Sequence, residues 1–263
     1  MRGARLLALL AASPCCLAQQ HDADALAKQL SNPISSLVSV PLQLNWDEGY
    51  GLDEDGQRFQ LNVQPVVPVS LNDDWNMISR TIVPVIAQDD VAPGTGSQFG
   101  LGDVTQSLFF SPRGTGAWTW GFGPVFYLPT ATDDELGGRK WGIGPTGIAL
   151  KQTEDHWTVG VLVNHLWSVA GDDDRADISS TFLQPFVSKG IGQGRTISVN
   201  LESTYDWKQS QWSVPLNLSY SKVGSIGSQR ISWAVGARWW AETPEGGPDW
   251  GVRLVLTLLY PKQ

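Results

Sequence analysis

The sequence predicts an all-β protein: a closed antiparallel transmembrane β-barrel of about 12 strands, with short periplasmic turns and longer, acidic extracellular loops. Three observations carry this. From Trp250 to Tyr260 every second residue is apolar (Trp250, Val252, Leu254, Leu256, Leu258, Tyr260), with an aromatic ring at each end. Such a strand presents an apolar face about 20 Å tall with an amphipathic ring at each rim, as a lipid-facing strand requires. The pattern recurs about every 20 residues after Ser35. Finally, no window after Ala18 approaches the roughly 20 consecutive apolar residues of a membrane helix, so any span must be built from strands, and only a closed barrel satisfies every backbone group in lipid.

Residues 1–18 read as a cleavable export signal. Arg2 and Arg5 form a basic start, Leu6 to Ala12 a short apolar core, and Cys16-Leu17-Ala18 a small-residue cleavage site before Gln19. Both cysteines, Cys15 and Cys16, fall inside it, so the mature chain is expected to have no thiol, disulfide or cysteine metal site. An acylated cysteine is the rival reading, and Pro14 makes a poor lipobox. Without the signal, 16 basic residues face 26 acidic ones, a net charge of −10. That balance argues against nucleic-acid binding.

Residues 19–34 form an N-terminal periplasmic segment. Ala23, Leu26, Ala27 and Leu30 recur at helical spacing until Asn32-Pro33, which predicts a short helix. It either sits at the periplasmic mouth as a plug or is a frayed lead-in. The barrel occupies residues 35–263.

Alternation is clearest at 38–46, 59–71, 118–128, 157–167, 212–220 and 250–260, and weaker at 76–87, 99–111, 141–151, 178–189, 196–206 and 230–240. An even count puts both termini on one side. The connections alternate between a compact set (72–74, 113–116, 154–155, 190–194, 222–228) and a longer, mostly acidic set (47–56, 88–97, 130–138, 171–177, 242–249). The acidic set is expected to face outward.

Thirteen tryptophans are too many for core filling, and most fall near strand ends. Trp46, Trp75, Trp118, Trp157, Trp167, Trp212, Trp250 and Tyr260 are expected to form aromatic girdles, because their rings are apolar while a polar tip stays near water. A soluble β-sandwich or lipocalin-like barrel with buried tryptophans is the competing architecture, but it would not gather aromatics at both ends of its strands. Pro41, Pro65, Pro68, Pro84, Pro124, Pro145, Pro185 and Pro215 resist the model, since each removes a ladder donor and a closed barrel has no free edge. Bulges or lumen water are the two ways to accommodate them.

Parity places Gln60, Asn62, Gln64, Asn164, Asn200, Glu202, Asn217 and Arg253 inside the barrel, with Thr196, Ser198, Thr204 and Ser219. Arg80, Asp103, Arg230 and Arg238 join them if the weaker strands keep register. These groups are costly to bury dry, so the interior is either wet or cross-linked by polar networks. Arginines opposite carboxylates would create a transverse field across a constriction. Alternatively, Arg80, Arg238 and Arg253 pair with Asp103 and Glu202 and fill the barrel, and a count near 12 does not decide between the two.

Catalytic signals are weak. His165 and Ser168 lie three residues apart on a strand, hence on opposite faces. His21 and His156 show no serine and carboxylate partner, so no triad emerges. His165 shares parity with Trp167 and reads as a girdle residue. No metal-spaced cluster is evident. The runs Asp133-Asp134-Glu135 and Asp172-Asp173-Asp174 are either solvated or bind divalent cations at a lipopolysaccharide surface.

The runs NVQPVVPVSLNDDWNMISRTIVPVI from Asn62, GLGDVTQSLFFSP from Gly100, GPVFYLPTATDD from Gly123, STFLQPF from Ser180, ESTYDW from Glu202 and GGPDWG from Gly246, with LAKQLSNP from Leu26, resemble the bacterial outer-membrane family labelled for the MetA pathway of phenol degradation, often called simply transporter. The resemblance extends over essentially the whole mature chain and implies an outer-membrane barrel that moves small molecules, aromatic or hydrophobic compounds among them. It carries over no site residues.

The leading expectation is a non-enzymatic, cofactor-free channel for passive passage of small solutes. Its constriction would be lined by Arg80, Asp103, Glu202, Arg238 and Arg253, with outer-membrane lipid and lipopolysaccharide as its surroundings. Two other classes stand beside it: a non-conducting structural barrel whose acidic loops bind lipopolysaccharide or a partner, and a lipid-modifying enzyme dependent on His165.

Overall fold

The computed structural model describes residues 14–260 except Thr115 and Ala117, with side chains from residue 22 onward. Most of the expected export signal, residues 1–13, lies outside the described residues. Helix α1 spans Pro14–Leu30. It is followed by twelve strands: β1 (Val38–Tyr50), β2 (Gly56–Val63 and Val66–Ser70), β3 (Trp75–Asp89), β4 (Ser97–Leu101 and Val104–Pro112), β5 (Thr119–Leu128) and β6 (Lys140–Gln152). β7 is Trp157–Gly171, β8 Ser179–Gly190, β9 Arg195–Leu201 and Ser203–Asp206, β10 Gln211–Ser213 and Pro215–Ile226, β11 Gln229–Trp240, and β12 Trp250–Tyr260.

Each strand pairs antiparallel with the next, and β12 returns to β1 from Val38↔Tyr260 to Glu48↔Trp250, closing the barrel. Closure leaves no strand edge unpaired, which is what permits a sheet to sit in lipid. One set of connections is tight, as at Gly227-Ser228, and the other longer, as at 90–96, 129–139 and 241–249. The fifth outer connection, 207–210, is short and carries no acidic residue. Asp47 to Tyr50, expected in the first outer loop, belong to β1. A left-handed Gly49 (φ 86°) supplies the bulge between Glu48 and Tyr50 that carries pairing past the expected strand end.

The prolines are accommodated mainly by gaps in the ladder. β2 is interrupted at Gln64-Pro65, yet Val63↔Val83 and Val66↔Arg80 keep one register, and Pro65 still accepts from Thr81 N–H. The gap at Glu202 faces Pro215, which accepts from Glu202 N–H, again without a shift. Of the prolines, Pro84 alone has a one-residue slip beside it: Gly102 and Asp103 bulge out, and Gly102 N–H donates to the Pro84 carbonyl. Pro124 and Pro145 oppose each other in an unbroken β5–β6 ladder, and their missing donors fall on the outer sides, where pairing lapses opposite Leu108 and Phe109 of β4 and opposite His165 and Leu166 of β7.

The exterior is apolar. Leu254 (49 % exposed), Val161, Val163 and Leu218 stand out from the wall, an arrangement that would forfeit about 1.5–3 kcal/mol per side chain in water and is favourable only against acyl chains. Aromatics band both ends. Trp46 stacks on Phe59 (centroids 5.7 Å apart) beside Trp250 at the outer end, where Trp167 and Trp212 also lie. Trp75 meets Trp120 edge-on at the periplasmic end, with Trp118, Trp157 and Tyr260.

The interior is not uniformly hydrophilic, contrary to the simplest reading of the alternation. One sector, built by β3 to β8, packs Ile78, Phe109, Ile148, Leu150 and Leu162 into a buried cluster with Phe182 and Phe186. Alternation cannot assign faces there, because stretches such as Val159 to Val163 are apolar or glycine in both phases. The N-terminal segment uses this sector: Ile34 inserts into the cluster, while Leu26, Ala27 and Leu37 pack on Val223 and Leu259. The segment therefore lies in the periplasmic mouth and is not a frayed lead-in. It is pinned to the periplasmic turns: Gly194 N–H donates to Asp24 (2.6 Å), Gln152 donates to the Lys28 carbonyl (2.8 Å), and Arg230 pairs with Asp22.

Candidate functional site: the lumen and its charged network

Opposite the apolar sector, β9 to β12 with β1 and β2 turn polar side chains inward. Parity and closure bring two ion pairs together. Arg253, one position before the lipid-facing Leu254, donates from both terminal nitrogens to the two oxygens of Glu202 at 2.8 Å, and from Nε to Asn45 Oδ1 at 2.7 Å. Arg238 donates from Nη1 to both oxygens of Asp47 at 2.6 Å and from Nε to Asn217 Oδ1 at 3.1 Å, and its guanidinium lies 4.7 Å from the Trp240 ring centre. Its Nη2 reaches Glu202 Oε2 at 4.0 Å, linking the pairs. Asn217 donates to Asn200 at 2.9 Å, and Gln184 to Glu202 at 3.4 Å. Buried charges require such neutralisation, and two-toothed guanidinium–carboxylate contacts are its strongest form.

Arg80 stands apart, donating to Gln64 Oε1 at 3.1 Å. Gln60 donates to Asn62 at 2.9 Å, and Asn164 lines the same space. Most residues that parity puts in the lumen line its cavities or bond to one another beside them, and their pairing differs from the expected one in two ways. Asp103 meets no arginine: its two oxygens accept from the N–H groups of Ala131 and Gly138 (2.9 and 2.6 Å), so it latches the 129–139 loop to the wall at the bulge. The carboxylate facing Arg238 is Asp47, which its acidic surroundings assign to a loop. Asn45, Asp47 and Gln43 share one parity on β1, the signal that should have assigned them inward. Arg230 lies at the periplasmic rim, engaged by α1.

Among the described residues, cavities succeed one another along the inside of the barrel. An outer one of about 400 Å³ is bordered by Asp47, Arg238, Arg253 and Glu202. A central one of about 370 Å³ is bordered by Glu202, Arg80 and the apolar Leu162 and Phe182. A periplasmic one of about 300 Å³ lies beneath Leu30 and Ser31 of the N-terminal segment and reaches up to Arg80. Glu202 separates the first two and Arg80 the last two, while Gln43 borders all three.

The other candidate chemistries are placed as follows. His165 lies on the outer face, 4.1 Å from the Trp167 ring, with Nδ1 2.7 Å from Thr181 Oγ1. Ser168 turns the other way and donates to Asp177 (3.1 Å). The acidic runs are tied together by Arg139, which pairs with Asp134 and with Asp172. The Asp174 N–H and then Arg139 hold the Asp172 carboxyl below the usual carboxylate range. Among the described residues no three His, Cys, Asp or Glu side chains are gathered as a metal site.

The sequence of β2 to β11 decides the family: residues 53–243 match the family described as Putative MetA-pathway of phenol degradation. The chain belongs to this family. The matched stretch excludes β1 and β12, and with them Asn45, Asp47 and Arg253, as well as the N-terminal LAKQLSNP. Among solved structures, this family member resembles an outer-membrane channel from Pseudomonas putida F1 at 14 % identity, with a TM-score of 0.67 over 86 % of this chain and 96 % of that one. The β domain of the Bordetella autotransporter BrkA (11 % identity, TM-score 0.44, 84 % of this chain and 97 % of that one) and outer-membrane phospholipase A from Escherichia coli (13 %, 0.43, 90 % and 98 %) are more distant. No curated protein matches the chain. A closed barrel with this exterior is an outer-membrane protein.

Proposed function

We propose that this protein is a channel for passive passage of small solutes across the outer membrane, with aromatic and other apolar-bodied compounds as its preferred class, and that it is not an enzyme. The observation that carries the reading is the succession of cavities along the lumen, flanked by a charged wall on one side and an apolar wall on the other. A solute would enter past the acidic loops, cross the level of Arg238, Asp47, Arg253 and Glu202, pass Arg80, and leave where α1 and Ile34 now cover the periplasmic mouth. The structural match to an outer-membrane channel and the family's association with phenol degradation support this reading. The test is single-channel recording of the purified mature chain in planar bilayers, joined to liposome swelling with sugars, amino acids and aromatic acids. Discrete conductance steps that change ion preference when Arg238 or Arg253 is neutralised are expected. Silent bilayers with correctly folded protein would overturn it.

A second reading, a non-conducting structural barrel with loops that bind lipopolysaccharide, is favoured by one observation: the N-terminal segment fills the periplasmic mouth and the ion pairs cross-link the lumen. It predicts no conductance and a chelator-sensitive surface association.

A further inference from the structure

The central cavity contains one cation with no carboxylate in ion-pair contact among the described residues, facing an apolar wall. Its two carboxylates are spoken for: Glu202 takes both donors of Arg253, and both Asp103 oxygens accept backbone N–H groups. Arg80 has no carboxylate in ion-pair contact among the described residues, and its one side-chain partner is the neutral Gln64. A guanidinium carries five N–H donors in a planar fork, so most of Arg80's capacity is unspent. On the same inner face of β3 follow Ile82 and Pro84, with Leu162, Leu166 and Phe182 completing the apolar side of the cavity. One cavity is therefore lined both by a guanidinium and by apolar side chains from β3, β7 and β8. The volume, about 370 Å³, falls in the range of small-ligand sites.

We propose that this cavity is a binding subsite for small aromatic monocarboxylates, the carboxylate seated on Arg80 in a two-toothed contact and the ring against Ile82, Leu162 and Phe182. The assignment rests on the channel reading for its biological sense and on Arg80 for its chemistry. An inorganic anion would leave the apolar wall unused, and a neutral aromatic alcohol would leave the guanidinium without its counter-charge.

The test is calorimetric titration of the detergent-purified mature chain with sodium benzoate, sodium acetate and benzyl alcohol, repeated with Arg80→Gln and, on the opposite wall, Leu162→Asn. Benzoate should bind more tightly than either analogue. Arg80→Gln should weaken benzoate by about tenfold or more, the value of a charge-assisted contact, while Leu162→Asn should narrow the benzoate-to-acetate preference without weakening acetate. Equal binding of benzoate and acetate, benzoate binding indifferent to Arg80→Gln, or no benzoate binding by the folded wild type would overturn the subsite. Benzoate binding with silent bilayers would sustain the subsite and overturn the channel, whereas conductance without benzoate binding would do the reverse.

Discussion

Arg253 and Glu202 meet across the lumen with two parallel contacts of 2.8 Å, joining β12 to the gap in β9 opposite Pro215. Their side chains are mostly buried, so each charge depends on the other. Removing one partner, as in Glu202→Gln, is expected to cost about 3 kcal/mol, the low end for a buried pair because the Glu202 side chain keeps 21 % of its surface exposed. The double variant Glu202→Gln with Arg253→Gln should recover part of that loss. A double-mutant cycle on urea unfolding midpoints measures the coupling, and strict additivity would contradict it.

Ile34 anchors the N-terminal segment in the apolar sector. Ile34→Ala removes most of a 5 % exposed side chain and is expected to weaken docking of the segment by about 2–4 kcal/mol. The expected readout is faster proteolysis between Leu30 and Leu37 and a larger single-channel conductance. Unchanged protease resistance would show that Ile34 does not hold the segment.

Leu254 and Arg253 are neighbours on opposite faces of β12. Leu254→Arg puts a guanidinium into the acyl layer and should cost about 2–4 kcal/mol if the residue lies near the bilayer midplane, lowering the unfolding midpoint in lipid vesicles. A variant as stable as the wild type would place this face away from lipid.

Gly144 is required by close strand packing. A Cβ built there would lie 1.7 Å from the His165 carbonyl oxygen, whereas at Gly147 the nearest atom is 3.8 Å away. Gly144→Ala must push β6 from β7 and break ladder hydrogen bonds, so heat-modifiable folded barrel on electrophoresis should fall sharply. Gly147→Ala should fold normally and serves as the control.

Much of the fold was legible because a strand has a period of two. Leu254 out and Arg253 in follow from one rule, and the twelve segments follow from repeating it. The rule stops where both phases are alike. Around Leu162 the neighbours are apolar or glycine on either face, so the apolar sector of the lumen was invisible. Acidity points Asp47 to a loop, although its parity with Asn45 points inward, and the structure follows the parity.

The sequence alone determined that this chain is a closed barrel, and it separates a lipid face from a lumen face wherever one phase of a strand is apolar and the other polar, because alternation and aromatic placement are local properties of each strand. Only the tertiary structure decided that Asp47 and not Asp103 meets Arg238, that Arg80 is left without a carboxylate, and that the N-terminal segment lies in the periplasmic mouth. Those pairings join residues up to 208 positions apart. They are set by strand register, bulges and closure of the sheet, which no single strand encodes.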